Sequence, residues 1–79
     1  MIIETADDEL MTAAMHSWNR VEIPGPETTR YENGADIVIV QGKGTVNGVD
    51  FDEGMYIQAM PGESLLWISQ QRIVIHVSS

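Results

Sequence analysis

The chemistry available to this chain starts with its carboxylates. Asp50 and Asp52 stand two residues apart, with Glu53 next to them. On a strand, residues two apart share one face. Paired carboxylates can do acid–base work or hold Ca²⁺. The oxygen-rich spacing of a Ca²⁺ loop is missing, so the trio reads first as a solvated hairpin end and second as a binding surface. His16 and His76 are the two imidazoles. A metal needs converging ligands, and these two lie far apart in sequence. His16 sits beside a helical apolar stripe, and His76 alternates outward on the last strand. Both are expected at the surface or its boundary. Ser17, Ser64, Ser69, Ser78 and Ser79 lack a Gly-x-Ser-x-Gly setting. Gly42-Lys43-Gly44 lacks the third glycine of a dinucleotide fingerprint and the Lys-Ser/Thr of a P-loop, and it reads as a tight β-turn. No enzyme, cofactor or metal is expected.

The net charge is the second chemical feature. Twelve Asp and Glu oppose four Lys and Arg in 79 residues, a net charge of −8. Residues 1–36 hold eight acids and two bases, so most of the field comes from the first half. A field of this sign repels nucleic acid and anionic membranes and attracts a basic partner. The plainer reading is that the charge keeps a small protein soluble. Carboxylates spaced over a convex surface can imitate DNA phosphates. On that reading the partner-binding acids are Glu22, Glu27, Glu32, Asp36, Asp50, Asp52 and Glu53, with Tyr31 and Tyr56 as aromatic anchors. The partner is then a basic, nucleic-acid-binding protein.

The length permits one domain with a small core, burying about 60% of the unfolded surface. With no Cys, neither a disulfide nor a thiolate metal site can staple it. A hydrophobic content of 43% argues against disorder. No apolar run nears the roughly 18 residues of a membrane span. The acidic start, MIIETADDEL, lacks the basic region of a signal peptide, so a cytoplasmic protein is expected.

A helix over residues 6–19 is expected to position the N-terminal acids. Thr5 is its predicted N-cap, in Thr5-x-x-Asp8 spacing. Leu10, Met11, Ala14, Met15 and Trp18 form its apolar stripe. Met1 to Ile3 reads as an edge strand, and residues 21–77 as a β region. Pro24-Gly25-Pro26 is a loop. Ile37 to Val40 is β-branched throughout and suits a central, doubly covered strand. Asn47-Gly48 predicts a type I′ hairpin turn. Met55–Ala59, Leu65–Ile68 and Arg72–Val77 complete five to seven short strands. The fold class is therefore α+β, mainly β, with the helix on a small antiparallel sheet or half-barrel. Trp18 and Trp67 are expected in the core, bridging helix and sheet. One or two of Tyr31, Phe51 and Tyr56 are expected to be exposed.

From about Val21 to Ile68 this order resembles a cupin half-barrel. The resemblance is carried by the Pro24-Gly25-Pro26 loop, Gly42-x-Gly44-x-Val46-Asn47-Gly48, Gly54 and Pro61-Gly62. Where that family's metal motif has two His, this chain has Thr28, Thr29, Arg30 and Tyr31. Where a later His would follow Pro61-Gly62, Ser64-Leu65-Leu66 stands. The resemblance thus implies a scaffold without the metal, and a metal-free small-molecule binder or accessory domain as one function. In general type the chain resembles small acidic phage-encoded inhibitors such as anti-CRISPR and anti-restriction proteins. A small structural or assembly protein is the third reading.

Overall fold

Alternating apolar residues bounded by glycine turns build nine strands, and one polar-faced segment builds a helix. A computed structural model describes residues 1–79. The elements are β1 (Ile2–Thr5), α1 (Asp8–Ser17), β2 (Asn19–Ile23), β3 (Glu27–Tyr31), β4 (Ala35–Gln41), β5 (Gly44–Val46), β6 (Val49–Phe51), β7 (Met55–Ala59), β8 (Glu63–Ile68) and β9 (Ile73–Ser78). The sequence expectation of five to seven strands falls short. β2 and β3 flank the Pro-Gly-Pro loop as separate strands, and β5 and β6 are only three residues each.

Two antiparallel sheets form. One has the order β1-β7-β4-β9-β2 and the other β3-β8-β5-β6. With β1 set aside, β2-β9-β4-β7 opposite β3-β8-β5-β6 is the strand order of a jelly roll. Capsid, lectin and cupin domains share that wiring, so it selects none of them. The core lies between the sheets. Ile23, Ile37, Ile39, Ile57, Ile73 and Ile75 come from the first sheet, and Val46, Phe51, Leu65 and Trp67 from the second. Phe51 meets Trp67 edge to face, with centroids 5.6 Å apart. That geometry adds about 0.5–1.5 kcal/mol to the area they bury.

β4 is central as expected, between β7 and β9. Its Ile37 and Ile39 face the core, and Val38, on the other face, is also fully buried. α1 covers Val38. It runs from the β1 edge to the β2 edge over the outer face of the five-stranded sheet, and Ala14, fully buried, is its contact residue. The helix is shorter than expected because Thr5 belongs to β1, paired with Met55. Asp7 is the N-cap instead, and its Oδ1 accepts from the Leu10 amide at 2.7 Å. Met15 is more than half exposed, so the apolar stripe narrows to Leu10, Met11, Ala14 and Trp18.

Two further expectations change. His76 is buried beneath α1 and lies at neither the surface nor its boundary, because the helix occupies the face it points to. Trp67 is buried between the two sheets, on the far side of the first sheet from α1, and so does not bridge helix and sheet. Arg20 lies in β2 and pairs with Glu22. The Asn47-Gly48 turn forms as predicted, with φ of 49° and 80°, the left-handed values a type I′ turn requires. No helix is long and apolar enough to cross a membrane.

Candidate functional site

The seven candidate acids divide among four settings. Glu22 and Asp36 lie on the outer face of the five-stranded sheet, by their register with Val74 and Ser78. Glu22 Oε1 accepts from Arg20 at 3.4 Å and from Arg72 at 3.2 Å, so its charge is largely answered. Asp36 accepts from the Tyr56 hydroxyl at 2.5 Å. Glu27 points inward, level with Trp67, and its Oε2 accepts from Thr29 Oγ1 at 3.1 Å. Glu32 sits in the β3–β4 turn, paired with Arg30. Asp50, Asp52 and Glu53 stand together at the β6–β7 turn. The seven therefore do not form one contiguous face. The alternation of β3 sends Glu27 inward, and Glu22 and Asp36, though on one face, stand on different strands level with residues four apart on β9.

The structure instead gathers a different acidic set. The Ala6 amide donates to the Gly54 carbonyl at 2.9 Å. That bond seats the first turn of α1 against the β6–β7 turn. It brings Asp7, next to Ala6, and Glu53, next to Gly54, to one end of the molecule, with Asp8, Glu9, Asp50 and Asp52 close to them in the chain. The helix dipole favours the acids of its first turn. Glu53 is tied down, its Oε1 accepting from the Gly42 amide at 3.1 Å. The sequence expectation placed these N-terminal acids only at the start of the helix. The bond that joins the two groups links distant parts of the chain, and no local pattern signals it.

Lysines and arginines leave this end largely uncompensated. Arg20 and Arg72 are held by Glu22, and Arg30 by Glu32. Lys43 is the one base in no ion pair.

Beside the acidic end lies an open cleft of about 570 Å³. It is lined by Asp50, Asp52, Lys43, Thr45, Ile68 and Gln70, among others. Thr45 pairs with Ile68 on one side and Asp50 on the other, so these three form one row across the outer face of the four-stranded sheet. Ser69 is in the cleft but is occupied by the loop. Its Oγ stands 2.9 Å from the Lys43 carbonyl and 2.6 Å from that of Gln71, and it accepts from the Gln71 amide. No histidine lines the cleft, so Ser69 has no imidazole base beside it.

The two anchor candidates are both half-buried. Tyr56 lies on the outer face of the first sheet, between Glu4 and Val38 in register. Burial, and then the hydrogen bond and charge of Asp36 with the charge of Glu4, push its hydroxyl up to about 12. Tyr31 points inward from β3. Burial, with the Glu27 charge behind it, raises its hydroxyl above the usual range. Phe51 is buried. No aromatic of the trio is therefore exposed. Tyr31 and Trp67 face the space between the sheets, and Tyr56 the outer face of the five-stranded sheet. No group of three or more His, Cys, Asp or Glu converges to hold a metal ion.

No family model, curated protein or solved structure matches this chain.

Proposed function

We propose that this protein is a non-catalytic acidic binding protein that occupies a basic, nucleic-acid-binding surface of another protein. The observation behind this reading is the acidic end. The Ala6–Gly54 bond brings the segments Asp7–Glu9 and Asp50–Glu53 to one end of the molecule, while three of the four bases are paired elsewhere. A rigid, single-signed patch concentrates field lines and speeds encounter with a cationic groove. The binding epitope is this end, with Asp36 and Tyr56 on a neighbouring face. In size and charge the chain resembles small phage-encoded inhibitors, which act this way.

The small-molecule and structural readings rest on jelly-roll wiring, which is fold analogy. The core between the sheets is filled by side chains, which gives the first of these no internal chamber.

The test is capture from lysate, followed by competition. The captured partner is a nucleic-acid-binding protein, and duplex DNA or RNA displaces it. Binding falls steeply between about 50 and 200 mM salt, as phosphate contacts do. Salt-insensitive binding, or a partner that holds nucleic acid and this protein at once, would overturn the reading.

A further inference from the structure

The two outer sheet faces are treated differently. α1 covers the five-stranded sheet, and Val38 and His76 beneath it are buried. Nothing covers the four-stranded sheet. Leu66 is 43% exposed and Ile68 48%, on the face opposite the buried Leu65 and Trp67. Ile68 shares a row with Thr45 and Asp50, and the cleft lies over that row. The Asp50 carboxylate enters no ion pair, and the Asp52 carboxylate accepts only from the neighbouring Glu53 amide.

We propose that this cleft seats a lysine- or arginine-bearing segment of a partner protein, its aliphatic stem on Ile68 and its cationic head between Asp50 and Asp52. The proposal rests on the reading of the protein as a binder of basic surfaces and names where a partner side chain docks.

Charge selects the occupant. A second copy of this chain carries −8 onto a surface already at −8, and nucleic acid or an anionic membrane has the same sign. A long basic side chain satisfies both parts of the cleft, because its stem is apolar and its head charged. Lys43 also lines the cleft, and its repulsion disfavours a cation near it and leaves the two aspartates as the seat. The floor distinguishes this site from the acids of α1, which offer charge without Ile68.

The test is amide chemical-shift mapping with a short peptide alternating Arg and Leu, against one alternating Glu and Leu. The basic peptide moves the resonances of Thr45, Asp50, Ile68 and Gln70, and the acidic peptide moves none. Asp50→Asn with Asp52→Asn weakens binding roughly tenfold, ~1.4 kcal/mol. Ile68→Ser weakens it several-fold with every charge kept. Each variant's own spectrum reports that it is folded. Shifts centred on Asp7–Glu9, or an Ile68→Ser variant that binds like the parent, overturn the site and leave the wider reading standing. A basic peptide that moves no resonance, together with an empty lysate capture, overturns both.

Discussion

His76 Nδ1 lies 3.0 Å from the Ala14 carbonyl oxygen, and that contact fixes the helix to the sheet. A carbonyl can only accept, so Nδ1 carries the proton in this contact. The same oxygen accepts from the Trp18 amide at 3.2 Å, where the helix ends. Ala14 has no room for a larger side chain, being fully buried against β9. Ala14→Leu is expected to cost about 1–3 kcal/mol through overpacking. Urea denaturation measures it, and the same change at exposed Ala13 should stay within about 0.5 kcal/mol.

Tyr56 and Asp36 supply an alkaline prediction. The hydroxyl ionises near 12 in the fold, against about 10 in the unfolded chain. The folded value is raised, so the associated stability is complete below about 10 and is lost as pH climbs from 10 toward 12. Asp36→Asn removes the charged acceptor and brings the Tyr56 titration back toward its ordinary value. Ultraviolet difference titration follows it. An unchanged curve in the variant would show that burial alone sets the shift.

At the acid limit Glu63 is the group to watch. Its Oε1 accepts from the Met60 amide at 2.9 Å, and that bond lowers its carboxyl below the usual range, against an opposing effect of burial. A lowered folded value means stability present above the unfolded value and lost as pH falls through the folded one. Glu63→Gln should flatten the acid side of the stability curve measured by thermal melts below about pH 4.5.

Gly44 tests the join of β5 to β8. A Cβ there would collide with the Ile68 carbonyl oxygen, which is backbone and cannot move aside cheaply. Gly44→Ala is expected to cost at least about 2 kcal/mol by forcing the strands apart. Gly25, where nothing lies within 4 Å, accepts alanine within about 0.5 kcal/mol. Since Gly44 also lines the cleft, its variant should weaken basic-peptide binding too.

Local pattern decided most of the elements. β-branched Ile37–Val40 made a central strand, Asn47-Gly48 made its turn, and residues 55–59 made another strand, because these depend on neighbours in the chain. The N-cap was misplaced by two residues because Thr5 is claimed by pairing with Met55, a long-range contact. His76 read as exposed because alternation gives the face of a strand and does not say what covers it. Leu66 and Ile68 stay exposed on β8 because one short helix can cover only one of two sheets.

The sequence by itself determined a mainly-β chain with one N-terminal helix, a strong negative charge and no recognisable catalytic motif. Composition, periodicity and turn chemistry are local quantities and can be read in order. Only the tertiary structure decided which acids meet. The Ala6–Gly54 bond brought the segments Asp7–Glu9 and Asp50–Glu53 to one end of the molecule, while strand alternation turned Glu27 inward and put Glu22 and Asp36 on the outer face of the five-stranded sheet. Charge adds up through space, so its pattern is fixed by contacts between residues distant in the chain.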